Sequence, residues 1–103
     1  MHTIGFIHLD LKPDNILLGS GNISSNRSKL IYLIDFGVSK KYKNPDGTHV
    51  QFKMDIPFTG NVVFASVNSF LNYGSQYYYF NINSELSRRD DLESFMYLLV
   101  YLA

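Results

Sequence analysis

The sequence predicts an α+β chain that is mostly helical, with a single small β-hairpin as its strand component. Three observations carry this. Two apolar runs of strand length, Ile16-Leu17-Leu18 and Leu30-Ile31-Tyr32-Leu33-Ile34, flank a stretch of turn formers. Near the C-terminus, Ser87-Arg88-Arg89-Asp90 is a helix start signal that leads into dense apolar residues. The composition, 46% hydrophobic and 16% aromatic over 103 residues, suits a segment that builds a core and not a disordered tail.

In chain order, Met1 to His8 reads as the end of one element and the start of another. Gly5 can stop a helix, and Phe6-Ile7 is a short apolar piece entering a polar loop. The two hairpin runs are joined by Gly19-Ser20-Gly21-Asn22 and a polar stretch through Lys29, which predicts a long connection. Antiparallel pairing would return Asp35 to the neighbourhood of Asn15. From Val38 to Phe58 no periodicity survives, and Lys40-Lys41, Asn44-Pro45-Asp46-Gly47 and Ile56-Pro57 predict turns and loop. A loop of that length inside a compact domain is usually functional. Ala65 to Leu71 predicts a short helix. Asn72 to Ser84 reads as an irregular excursion around Tyr77-Tyr78-Tyr79-Phe80, first as a surface insertion packing on itself, with a partner-binding or phosphorylation site as the alternative.

The last helix has the strongest signal. Ser87-Arg88-Arg89-Asp90 fits a capping box with Asp in place of Glu, and acidic residues crowd the first turn. Leu92, Phe95, Met96, Leu98, Leu99, Tyr101 and Leu102 then cover nearly the whole circumference, the pattern of a helix buried inside a larger protein. No stop signal precedes Ala103, so the helix is expected to continue.

Composition excludes several functions. Nine Lys and Arg against nine Asp and Glu leave a formal net charge of zero, which offers no attraction to nucleic acid or an anionic membrane surface. Cysteine is absent, so neither a disulfide framework nor a thiolate metal site can form. The apolar stretch ending at Ala103 falls far short of the roughly 18 residues that span a bilayer. No basic region followed by an apolar one opens the chain, so a cytoplasmic or nuclear location is the default.

Two segments carry chemistry: His8-Leu9-Asp10-Leu11-Lys12-Pro13-Asp14-Asn15 and, one hairpin later, Asp35-Phe36-Gly37. Each residue alone is unremarkable surface chemistry, and Asp-Phe-Gly alone is a weak tripeptide. As an ordered set they resemble the catalytic loop and the metal-binding loop of a eukaryotic protein kinase. The resemblance implies an incomplete protein-kinase-like fold, with ATP and Mg2+ as cofactors and protein substrates as partners. It assigns Asp10 to orient the substrate Ser or Thr hydroxyl and accept its proton, and Lys12 to meet the γ-phosphate. Asn15 and Asp35 are the implied magnesium ligands, and Gly37 allows the turn after the second of them. His8 is expected to be a packed scaffold residue.

The Ile34 to Tyr42 run, Thr59-Gly60, Phe64-Ala65-Ser66-Val67-Asn68 and above all Ser87-Arg88-Arg89-Asp90-Asp91-Leu92-Glu93-Ser94 are similar to the casein kinase 1 group. By this similarity Asp91 accepts hydrogen bonds from the catalytic-loop backbone and supports Asp10 without being catalytic. Three departures stand out. The family has Arg where this chain has Leu9, and a second Arg aligns with Val63, which leaves Lys40 alone of a basic pocket for an anion such as the phosphate of a primed substrate. Two lost guanidinium groups remove a bidentate geometry that one Lys cannot replace, so phosphate-primed recognition is expected to be weak or absent. Asn61 stands for a Thr, and Met96 for a Gly where only a small residue normally fits. His2, His49 and the Lys41 and Lys43 side chains read as surface.

No Gly-rich loop, strand Lys or partner Glu of an ATP-clamping lobe precedes His8. Residues 1–103 are therefore expected to be part of a kinase domain, from catalytic loop to central helix, inactive by themselves within an active parent. A pseudokinase or scaffold that keeps the fold, and a truncated product without independent function, remain the alternatives.

Overall fold

Gly5 does end the first element. His2–Ile4 forms a single 3-10 turn, and Gly5 follows at φ +84°, its N–H bonded to the His2 carbonyl. That left-handed residue costs glycine nothing and turns the chain into the first strand. In the computed structural model the chain is α+β, with two small antiparallel sheets and one main helix. The structure describes residues 1–22, 24, 26–51, 57–74 and 85–103. The Tyr77 to Phe80 cluster lies outside these residues.

The hairpin forms as the apolar runs predict. Strands β2 (Ile16–Leu18) and β3 (Ile31–Leu33) pair in the register Ile16↔Leu33, Leu17↔Tyr32 and Leu18↔Ile31. Gly19 N–H donates to the Leu30 carbonyl at one end and Ile34 N–H to the Asn15 carbonyl at the other, so the ladder outlasts the strands. The connection contains a 3-10 turn at Asn26–Lys29, not loop throughout.

A second sheet was not visible in the sequence. Strand β1 (Phe6–Ile7) pairs with β4 (Lys40–Lys41), Phe6 opposite Lys41 and Ile7 opposite Lys40. Lys40-Lys41 is therefore strand and not turn, because a two-residue edge pairing needs only backbone groups and leaves no periodic signature. A bridge between Lys43 and His49 continues the order around the Asn44 to Gly47 turn. The described part of Val38 to Phe58 is thus not loop throughout.

Helix α1 spans Val67–Gly74, two residues later at its start and three later at its end than Ala65 to Leu71. Helix α2 spans Arg88–Leu102. The Asp90 carboxylate reaches back to the Ser87 N–H at 2.6 Å, as the capping pattern predicts. The same buried carboxylate accepts Ser66 Oγ at 2.7 Å and Asn68 Nδ2 at 3.3 Å, and Glu93 accepts the Val67 N–H at 3.0 Å. These bonds tie the start of α1 to the first two turns of α2.

The core is small and sits under the loop that follows β1: Ile7, Leu9, Tyr42 and Leu86 form its buried cluster. Residues 1–103 leave most of the apolar residues of α2 uncovered. Only Leu98 among its apolar residues is buried, whereas Leu92, Val100 and Leu102 are exposed and Met96 is 57% exposed. Met96, which stands where the resemblance has a Gly, meets no crowding among the described residues.

Candidate active site

The loop from His8 to Asn15 leaves β1 and enters β2 through a 3-10 turn at Pro13–Asn15. Pro13 suits the first position of that turn, where its missing N–H costs nothing. Asn15 is buried, and its Nδ2 donates to the Asp10 carbonyl at 2.8 Å and to Asp10 Oδ2 at 3.1 Å. Lys12 Nζ reaches the same Oδ2 at 2.9 Å. Two donors thus converge on one oxygen of Asp10. The other, Oδ1, is buried and has no hydrogen-bond partner among the described residues.

The hydrogen bond that Lys12 donates to Asp10 holds its ammonium above the ordinary lysine value; desolvation opposes this, and the fields of Asp10, Asp14 and Asp35 add smaller upward contributions. Ile34 N–H bonds to the Asn15 carbonyl, which places the backbone of the next residue, Asp35, near the end of the loop. Asp35 is left-handed at φ +59°, a conformation Asp tolerates better than most residues, and its Oδ1 accepts the Gly37 N–H at 3.2 Å. Of the four residues singled out from sequence, Asp10, Lys12 and Asn15 are thus joined by direct contacts, while Asp35 is linked to them through the backbone bond of Ile34 and its side chain bonds to Gly37.

His8 is buried and bonded at both ring nitrogens. Asp10 N–H donates to Nδ1 at 3.2 Å, so the ring proton is on Nε2, which donates to the Ile34 carbonyl at 3.0 Å. This ring couples the loop to the strand that delivers Asp35. It also meets Phe36 edge to face at 5.2 Å, so each of the two segments grips the other.

Asp91, in the first turn of α2 and only 3% exposed, accepts Leu9 N–H at 2.9 Å on Oδ1 and His8 N–H at 2.8 Å on Oδ2. Leu9 itself is at φ +68°, a left-handed backbone that costs a non-glycine residue about 1–2 kcal/mol and persists only where neighbours impose it. Gly60 helps impose it from the other side. At φ +105°, a Cβ on this residue would lie 2.0 Å from the Leu9 carbonyl oxygen, so only glycine lets the two backbones come this close.

Leu9, Val63 and Lys40 stand in three different surroundings. Leu9 is 8% exposed and packs in the core; Val63 is 71% exposed; Lys40 Nζ is engaged by Glu85 Oε1 at 2.7 Å. Asn61 Oδ1 accepts the Val63 and Phe64 N–H groups at 2.7 and 3.3 Å, which gives the residue found in place of Thr a turn-holding role.

Two residues here escaped the sequence reading. His2, read as surface, is half-buried and bonds to Asp91 across 89 positions of chain; no local pattern announces a contact at such separation. Glu85 could have been suspected only as the nearest carboxylate before α2. No protein-family model matches the chain.

Proposed function

We propose that the chain carries the catalytic and metal-binding loops of a serine/threonine protein kinase of the casein kinase 1 type, which moves the γ-phosphoryl group of ATP to Ser or Thr hydroxyls of proteins. The single observation that carries this reading is the convergence of Lys12 Nζ and Asn15 Nδ2 on Asp10 Oδ2. These two donors hold the carboxylate in one orientation beside a lysine ammonium, the pairing of proton acceptor and cation that a hydroxyl attacking a phosphoryl group needs.

In this mechanism the Asp10 carboxylate accepts the substrate O–H and orients its oxygen toward the γ-phosphorus. The hydroxyl proton passes to Asp10 as the new P–O bond forms, and the bond to the bridging oxygen breaks to release ADP. Lys12, whose ammonium is kept charged by Asp10, meets the negative charge on the transferring group. The donor set of Asn15 and Asp35 fits magnesium: one amide oxygen and one carboxylate are hard ligands, and this ion takes few from protein and the rest from phosphate and water. When bound, magnesium supplies charge neutralisation at the phosphates. Asn15 spends its amide nitrogen on Asp10, which turns its oxygen over to ligand duty.

The test is phosphoryl transfer to a generic acidic protein by the full-length protein. Asp10→Asn keeps the shape and the Asn15 and Lys12 neighbourhood but removes the proton acceptor, and is expected to abolish transfer. Retention of the full rate in that variant refutes the role of Asp10.

A further inference from the structure

We propose that the outer face of β1 and β4 is a docking site for an extended acidic segment of a partner protein, recognised by Lys41 and Lys43. The bridge from Lys43 to His49 carries the extended backbone past β4, and the side chains along it alternate. Lys40 is paired to Glu85 and Tyr42 is buried in the core, whereas Lys41 and Lys43 are exposed. Alternation therefore puts the two lysines on one face. A cavity of about 390 Å³ opens there, lined by both lysines, by Thr3 and Phe6 on one side and by Asn44 and Pro45 on the other. No residue of the Asp10 loop lines it.

Charge on this face is left uncompensated. Lys12 meets Asp10 and Lys40 meets Glu85, but among the described residues neither Lys41 nor Lys43 is in an ion pair. Lys41 Nζ instead lies over the Phe6 ring at 5.7 Å, which steers it along the cavity wall. The one carboxylate of the adjoining turn, Asp46, is turned to Thr48, whose N–H and hydroxyl reach its Oδ1 at 2.9 and 2.6 Å. Spacing selects the ligand. Residues two apart along a strand are separated by about 7 Å, so Lys41 and Lys43 match carboxylates on alternate residues of an extended peptide. A single phosphate group is too compact to meet both at once, and a lysine offers it no bidentate fork. Phe6 and Pro45 give apolar walls to the methylene stems of glutamates. The chain as a whole carries no net charge, so the attraction is local and does not extend along a nucleic acid.

The test is an NMR titration of the full-length protein, followed through its backbone amide shifts. One peptide carries two glutamates separated by a single alanine, and a second of the same composition has the two glutamates adjacent. Neither contains Ser, Thr or Tyr, and no ATP is added, so the result is independent of phosphoryl transfer. The first peptide is expected to shift the amides of Phe6, Lys41 and Lys43, to leave those of Ile34 and Ala65 in place, and to release as salt rises. Lys41→Gln and Lys43→Gln should each weaken it about threefold, and the double variant about tenfold. Lys41→Arg and Lys43→Arg keep the charges and should bind at least as tightly as wild type. Lys29→Gln, which removes a cation outside the cavity, should change nothing. No shift at low salt, or equal binding by the adjacent-glutamate peptide or by a peptide with one phosphoserine, overturns the proposal. So does tighter binding by a short thymidine oligonucleotide, or a loss in Lys29→Gln equal to that in Lys41→Gln.

Discussion

Gly60→Ala probes the closest approach in the site. A Cβ there would sit 2.0 Å from the Leu9 carbonyl oxygen, 3.2 Å from its carbonyl carbon and 3.8 Å from Asp10 Cα. Two costs add. The left-handed backbone at φ +105° costs any residue with a Cβ about 1–2 kcal/mol. Overlap with a backbone carbonyl, which no rotamer change relieves, costs about 1–3 kcal/mol by analogy with overpacked cores. The sum is about 3 kcal/mol. Gly47 supplies the control: its φ is +87°, but the nearest atom to an added Cβ is the mobile Lys43 Cε at 3.6 Å, so Gly47→Ala carries the backbone cost alone. For a domain of about this size each kcal/mol moves Tm by about 4–8 °C, so Gly60→Ala should melt about 12–24 °C below wild type. Gly47→Ala should lose about half as much. Thermal unfolding followed by far-UV circular dichroism reads both, and the two variants melting together would show that Gly60 does not press on the Asp10 loop.

Three further outcomes can be checked. At Leu9 the usual order of small residues reverses: φ +68° penalises alanine but not glycine, so Leu9→Gly should have the higher urea midpoint, with both variants about 2–4 kcal/mol below wild type for the side chain lost from the Ile7, Tyr42 and Leu86 cluster; a more stable alanine variant contradicts the left-handed backbone. Hydrogen bonds from the Thr48 side chain and backbone depress the Asp46 carboxyl below 3.8, so its contribution to stability is present above 3.8 and fades as pH falls through the lower folded value. Thr48→Val should raise its midpoint in a carboxyl NMR titration, and an unmoved midpoint refutes the assignment. With Leu9 in the core and Lys40 paired to Glu85, a phosphoserine peptide and its unphosphorylated counterpart should bind the full-length protein within about threefold of each other by calorimetry; strong preference for the phosphopeptide shows a pocket that these pairings do not close.

Local order along the chain made much of the fold legible. The hairpin showed itself because Ile16 to Leu18 and Leu30 to Ile34 are apolar runs with turn formers between them, and α2 because Ser87 and Asp90 mark a start that depends on three residues of spacing. The β1–β4 sheet was hidden because its partners are two residues long and lie 33 or more positions apart, with no side-chain pattern required. Met96 and Leu92 are exposed within residues 1–103, although the apolar pattern of α2 marks them for contact. An apolar circumference says what a helix would prefer to touch, and the neighbours that reach it are a separate matter.

The candidate site divides along the same line. The resemblance to a protein kinase singled out Asp10, Lys12, Asn15 and Asp35, and the hairpin that brings the backbone of Asp35 back toward Asn15 is legible in the local sequence. Which oxygen of Asp10 the Lys12 and Asn15 donors hold, that Leu9 turns into the core at a strained φ, that Lys40 meets Glu85, and that His2 reaches Asp91 were settled only by tertiary packing. The physical reason is the range of the interactions. Strand and cap preferences act over a few residues and are written in the local sequence, whereas a hydrogen bond across 89 positions exists only once the intervening chain has folded to deliver both partners.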